Sequence, residues 1–216
     1  MDAKRIHNLF EMRKDYNPDP LDKAHLEREP FAQFSKWFGE AVEKEIHEAN
    51  AMALSTVNGK GKPSSRIVLL KSFSEDGFLF FTNYSSRKGA DISENKNVAL
   101  LFFWPQMMRQ VRVEGVASKC DPVLSDQYFY SRPLENRVAS ALSKQSEPLE
   151  DKSSFEAEVS RFLIGEGELK RPENWGGYIV KPSYFEFWQG GSGRSHDRFT
   201  YDFVKNSYWN IKRLYP

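Results

Sequence analysis

Between positions 189 and 199 the chain reads QGGSGRSHDRF, three glycines followed at once by Arg194, His196, Asp197 and Arg198. Glycine lets a backbone turn sharply or approach a ligand closely. Guanidiniums around an imidazole grip a phosphate or a polarised ring. If the stretch is extended, alternation puts Arg194, His196 and Arg198 on one face. Three cationic or titratable groups so placed repel one another unless an anion lies among them. The alternative is a glycine-rich surface hairpin.

Other cations sit in β-rich runs. In SSRIVLLK, alternation puts Arg66, Val68 and Leu70 on one face and Ile67, Leu69 and Lys71 on the other. In YSSRKG, two serines precede Arg87 and Lys88 at a helix start, so hydroxyls, free N–H groups and two cations form either a phosphate cradle or a solvated basic turn. Gln110 shares a face of RQVRVEGVAS with Arg112 and Glu114, and its amide offers donor and acceptor to a heteroaromatic ring or to solvent. Tyr128 and Arg132, four apart in DQYFYSRPLEN, share a helical face and suit a second phosphate or a surface pair. SKQS at 143–146 is a polar knot after a helix, ambiguous by itself.

The elements that must position these groups are legible in outline. Residues 1–30 are polar, charged and proline-containing, which predicts an arm; residues 31–216 show no linker and predict one domain. Phe31, Phe34, Phe38, Ala41, Val42 and Ile46 have helical spacing behind Pro30. Then MALSTV, SSRIVLLKSF, FLFFTNY, VALLFFW and RQVRVEGVAS read as short strands, with Asn58-Gly59 and Asp76-Gly77 as hairpin turns. After Cys120 come three helical stretches broken at Pro133 and Pro148, then the strand GGYIVKPSYFEFWQG and a last hairpin. The pattern predicts an α+β domain, an antiparallel sheet closed as a barrel with helices packed on it.

Composition narrows the classes. The 216 residues carry 31 Lys and Arg against 30 acids, a net charge of +1 that gives no pull toward nucleic acid or membrane. A mean hydropathy of −0.65 with 14% aromatics describes a soluble domain with an aromatic-rich core. The single Cys120 excludes an internal disulfide and a cysteine zinc cluster. His7, His25 and His47 are scattered beyond ligand spacing and read as surface residues, so no metal site is expected. No GxGxxG, Walker A, HExxH or GxSxG pattern occurs. No apolar run approaches the roughly 20 residues of a membrane span. The first residues lack the apolar core of a signal peptide, so a cytoplasmic location is expected.

Taken together, RIVLLK, FFTNYSSRKG, RQVRVEG, YFYSRP, SKQS, NWGGY and EFWQGG with its following RSHDRF stand in the order and spacing of one family. Over nearly its whole length the chain resembles pyridoxamine 5′-phosphate oxidase. The resemblance implies an FMN-binding antiparallel split β-barrel and a homodimer with active sites at the interface. It implies oxidation of pyridoxamine or pyridoxine 5′-phosphate to pyridoxal 5′-phosphate, with O2 reduced to H2O2. Carried over by position, Arg66, Ile67, Val68, Leu69, Phe81, Thr82, Arg87, Lys88, Gln110, Gln145, Ser146, Trp188 and Arg198 hold FMN. Lys71, Tyr128, Arg132 and Asn136 take the substrate phosphate, while Arg194, Ser195 and His196 cover the substrate ring, with Arg194 and His196 as the catalytic pair. Arg13 and Tyr16 in the arm fold over bound substrate. The chain departs from the family at Asn136, commonly serine, and at Ser195, often bulkier and apolar; a weaker or rearranged phosphate grip is expected. Two rivals are a split-barrel flavin reductase or oxidase of another substrate, and a non-catalytic carrier of FMN or pyridoxal phosphate. The phosphate set Lys71, Tyr128 and Arg132 argues against the first, the intact RSHDRF cluster against the second.

Overall fold

Turn chemistry sets the first hairpin. Asn58 Oδ1 accepts the N–H groups of Lys60 and Lys62, both at 3.0 Å, and folds the chain back between β1 (Ala51–Val57) and β2 (Pro63–Leu69). The turn is therefore longer than the two residues expected at Asn58-Gly59. The computed structural model describes residues 20–165, 169–204 and 208–216. A second hairpin joins β3 (Ser72–Ser74) to β4 (Gly77–Asn83), and β5 (Asn97–Trp104) and β6 (Arg109–Lys119) follow. After the helices come β7 (Trp175–Gln189), β8 (Asp197–Val204) and β9 (Tyr208–Leu214). The strands hydrogen-bond in the order β2-β1-β5-β6-β7-β4-β3, with β8 pairing β7 and β9. The pairs β1–β2, β1–β5, β3–β4, β4–β7 and β8–β9 are all antiparallel.

The chain groups into two compact units. One takes Asn50–Phe102 and Arg112–Tyr184, the other, among the described residues, 20–49 with Phe103–Val111 and the chain from Phe185 on. In the first, β2 and β4 lie far apart in strand order yet touch, so the sheet curls into a barrel. Alternate residues of β1, namely Met52, Leu54 and Thr56, point into it, and β4 is buried along almost its whole length. Leu54, Phe78, Phe80, Leu100, Phe102, Val113 and Val180 are fully buried. Each such side chain contributes about 1.5–3 kcal/mol.

Among the described residues, four α-helices belong to this barrel unit. Helix α2 (Arg87–Glu94) is capped by Ser86, whose hydroxyl accepts from Gly89 N–H. Asp121 caps α3 (Pro122–Ser131) the same way at Val123. Arg132, held extended because Pro133 follows, ends α3 and turns the chain into α4 (Leu134–Leu142). Asp151 caps α5 (Lys152–Ile164), accepting from the N–H groups of Ser153 and Ser154.

The second unit packs α1 (Pro30–Glu43), with Pro30 at its first turn, among aromatic rings. Its buried side is Phe34, Trp37 and Ala41, with Trp37 edge-on to Phe187 at 5.3 Å. Two positions of the expected apolar stripe differ: Val42 is 53% exposed, and Ile46 lies beyond the helix end. Trp37 takes the buried place because Phe187 of β7 meets that face.

Candidate active site

Strand β2, strand β4, the first turn of α2 and the α3–α4 corner meet at a cavity of about 510 Å³ in the barrel unit. It brings together Ile67, Val68 and Leu69 with Lys71, Phe81 and Thr82 with Lys88, and Tyr128, Arg132 and Asn136 with Gln145. Among its lining residues are three cations, Lys71, Lys88 and Arg132, and no carboxylate. That imbalance is the main electrostatic fact of the site.

At one end Lys88 is almost fully buried, with Nζ donating to Thr82 Oγ1 at 3.1 Å, Ser86 Oγ at 3.2 Å and Gln145 Oε1 at 3.0 Å. Thr82 Oγ1 in turn donates to Gln145 Oε1 at 3.1 Å. All of these acceptors are neutral. Burial, and next the nearby Arg66 guanidinium, pull the Lys88 pKa down to about 8. A buried ammonium surrounded only by neutral oxygens is poised for an anion.

At the other end Tyr128, Phe81 and Trp175 form a near-parallel stack, with Phe81 4.1 Å from Tyr128 and 5.6 Å from Trp175. Lys71 Nζ lies over the Tyr128 ring at 5.5 Å, and the Arg132 guanidinium over Trp175 at 5.1 Å. Arg132 Nη1 also donates to Ser140 Oγ at 3.0 Å. Burial lowers the Arg132 pKa, opposed by the Tyr128 phenol. Aromatic faces with two cations over them suit a flat, anionic molecule.

Other expected site residues lie outside this cavity's lining. Arg66 is engaged by its own barrel: it donates to Leu54 O at 3.1 Å, Thr56 Oγ1 at 2.8 Å and Ser64 Oγ at 2.9 Å, with Asp91 at 3.7 Å. Arg87, first residue of α2, is exposed, as is Ser146 beside Gln145. Gln110 is half-buried on β6. Arg13 and Tyr16 lie outside the described residues, as does His7.

Trp188, Arg194, Ser195, His196 and Arg198 belong to the second unit. The expected extended run with three side chains on one face does not form. Residues Ser192–Arg194 make one 3-10 turn, Gly193 and Arg194 have φ of +58° and +64°, and β8 starts only at Asp197. Two of the glycines explain the shape. Gly193 sits in the left-handed region, and a Cβ on Gly191 would meet the Ser195 carbonyl at 2.1 Å. His196 stays close to Trp188, ring centres 4.8 Å apart, and its Nδ1 accepts the Gly191 N–H at 3.1 Å. The neutral ring therefore carries its proton on Nε2. Arg198 turns to Glu186 Oε1 at 2.8 Å and the Tyr215 carbonyl at 3.1 Å, while Arg194 is exposed.

Sequence reasoning missed Trp175 and Ser140. Trp175 opens β7 and reaches Phe81 because β4 and β7 pair with Phe81 opposite Gly177. Its signal was the aromatic residue in NWGGY. Ser140 was legible only as one helical turn beyond Asn136. Among the described residues no cluster of His, Cys, Asp or Glu could hold a metal, and no helix is long and apolar enough to cross a membrane.

Comparison with known proteins gives a consistent answer. A family model described as pyridoxamine 5′-phosphate oxidase matches residues 38–164. A second, described as the pyridoxine 5′-phosphate oxidase C-terminal dimerisation region, matches residues 175–216. A pyridoxine/pyridoxamine 5′-phosphate oxidase of Janthinobacterium sp. is 45% identical over 210 residues, covering 97% of this chain and 100% of its own. The crystal structure of PhzG from Burkholderia lata, in complex with tetrahydrophenazine-1-carboxylic acid, superposes with a TM-score of 0.86 at 28% identity, covering 92% of this chain and 98% of that one. A pyridoxamine 5′-phosphate oxidase-related, FMN binding protein of Nostoc punctiforme has a TM-score of 0.69 at 16% identity, covering 85% and 97%, and is alike in fold. The antiparallel barrel with its packed helices is the split-barrel fold of these proteins.

Proposed function

The chain belongs to the pyridoxamine 5′-phosphate oxidase family, and on that premise we propose that it oxidises pyridoxamine or pyridoxine 5′-phosphate at C4′ to pyridoxal 5′-phosphate. Dioxygen leaves as hydrogen peroxide, and with the amine substrate water hydrolyses the resulting imine to aldehyde and ammonia. The observation that carries this reading is the cavity whose lining has three cations, a ring stack and no carboxylate. FMN, when bound, would accept the hydride from C4′ and pass the electron pair to dioxygen.

The residues divide the work. Lys88, ordered by Thr82 and Gln145, holds the FMN phosphate together with Arg66 and Arg87, and Ile67, Val68 and Leu69 supply the apolar wall. Gln110, Ser146, Trp188 and Arg198 complete the cofactor site. Lys71, Tyr128, Arg132 and Asn136 bind the substrate phosphate, which removes translational freedom and sets C4′ for transfer. Two copies of the chain form the working dimer through the region 175–216. Arg194 and His196 cover the substrate ring, Ser195 lies between them, and the arm of residues 1–30, with Arg13 and Tyr16, closes over the domain that follows. His196 acts as a donor from Nε2, because Nδ1 is taken by Gly191. It orients substrate and does not abstract a proton. The protein works in the cytoplasm.

The test is turnover in air with FMN and each substrate in turn. Aldehyde and hydrogen peroxide in equal amounts are expected. Bound FMN with no aldehyde from either substrate would leave a carrier, or an oxidase of another compound such as a fused-ring carboxylate.

A further inference from the structure

Helix α4 turns one face to the cavity: Asn136, Ala139 and Ser140 line it, the spacing of a single helical stripe, and the C-cap Ser143 follows. Ser140 does more than fill space. A helical serine commonly bonds back to the carbonyl four residues earlier; here its oxygen accepts from Arg132 Nη1 at 3.0 Å across the α3–α4 corner. An oxygen that accepts from a guanidinium keeps its own proton to donate. Among the described residues Arg132 has no carboxylate partner, and the cavity lining offers none to Ser140. The side chain of Asn136, one turn earlier, is exposed and makes no hydrogen bond among the described residues.

We propose that Ser140 is the hydroxyl of the substrate-phosphate site: it positions the Arg132 guanidinium and donates its own proton to a phosphate oxygen. The inference rests on the reading of this cavity as the site where a phosphate ester is oxidised. The same oxygen then bridges cation and anion, the arrangement that makes a charge-assisted network stronger than either bond alone.

The experiment uses the FMN-loaded full chain and its Ser140→Ala and Ser140→Thr variants. Three quantities are read: KM and kcat for pyridoxine 5′-phosphate, inhibition by inorganic phosphate, and the dissociation constant of FMN. Ser140→Ala is expected to raise KM and the phosphate inhibition constant by about tenfold. It leaves kcat and FMN affinity unchanged, and Ser140→Thr restores both raised values. Unchanged KM and phosphate inhibition in Ser140→Ala overturn the proposal. So does a joint loss of kcat and FMN affinity, which marks a structural role. If the parent chain oxidises neither substrate, the proposed reaction fails by itself. Calorimetry with inorganic phosphate then decides Ser140: about tenfold weaker binding in Ser140→Ala supports it, and equal binding overturns it.

Discussion

Two sets of cations in this molecule are treated in opposite ways. In the unit that holds α1, Arg109 pairs with Glu40, Arg198 with Glu186 and Arg213 with Asp197. In the barrel unit, Lys71, Lys88 and Arg132 line a cavity with no carboxylate, and none has an ion-pair partner among the described residues. The first set neutralises its charge within the fold. The second leaves charge uncancelled, buried at Lys88 and half-buried at Arg132, a cost that folding alone does not repay. Charges of that kind mark where a ligand's charge is expected.

The comparison breaks first at Arg198. Its partner Glu186 has a side chain only 4% exposed, so Arg198→Met removes a cation 2.8 Å from a buried carboxylate. A stability loss of about 3–5 kcal/mol is expected in urea denaturation of the apoprotein. A loss near zero would move Arg198 into the other class. Arg132→Met should behave the opposite way. Removing an uncancelled cation leaves the urea midpoint unchanged or raises it, while KM for pyridoxine 5′-phosphate rises about a hundredfold. Equal losses in both assays would erase the distinction between the two sets.

Lys88 sharpens it through pH. In the folded apoprotein it titrates at about 8, against 10.5 when free, chiefly through burial and then through repulsion by Arg66. Between those values the unfolded chain holds the extra proton. The penalty for the buried charge is therefore fully present below about 8, and stability rises with pH through that window. Anion binding has the opposite sign, since a phosphate needs the ammonium. FMN affinity of the apoprotein should fall as pH rises through about 8, and Lys88→Met should flatten both slopes. The smallest effect is expected at Asn136, whose exposed side chain makes no hydrogen bond among the described residues. Asn136→Ser should change KM by no more than about twofold to threefold.

What the sequence made legible follows the range of the forces involved. Ser86 as a cap and Pro30 at a helix start are local effects, and both stand where spacing put them. Lys88, Thr82 and Phe81 reach one cavity because a strand and the helix after it are close in sequence. The residues around 194 were misread because alternation assumes an extended chain, whereas Gly191 and Gly193 permit a turn that spacing does not reveal. Trp175's place against Phe81 depends on pairing between strands distant in sequence, and Arg198's choice of Glu186 on how β8 returns beside β7 after the turn. No local pattern encodes those partners. Ser140 was hidden for a third reason: a helical serine has several possible acceptors and donors, and only the α3–α4 corner brings Arg132 to it.

The most direct measurement is anaerobic. The FMN-loaded protein is mixed with pyridoxine 5′-phosphate, and the visible absorption of the flavin is followed with aldehyde formation. The account predicts bleaching matched mole for mole by aldehyde, recovery of the yellow colour on admitting air, and a much weaker response in Arg132→Met at the same substrate concentration. A flavin that stays yellow with both pyridoxine and pyridoxamine 5′-phosphate would contradict the claim that the uncancelled cations serve oxidation of a phosphate ester.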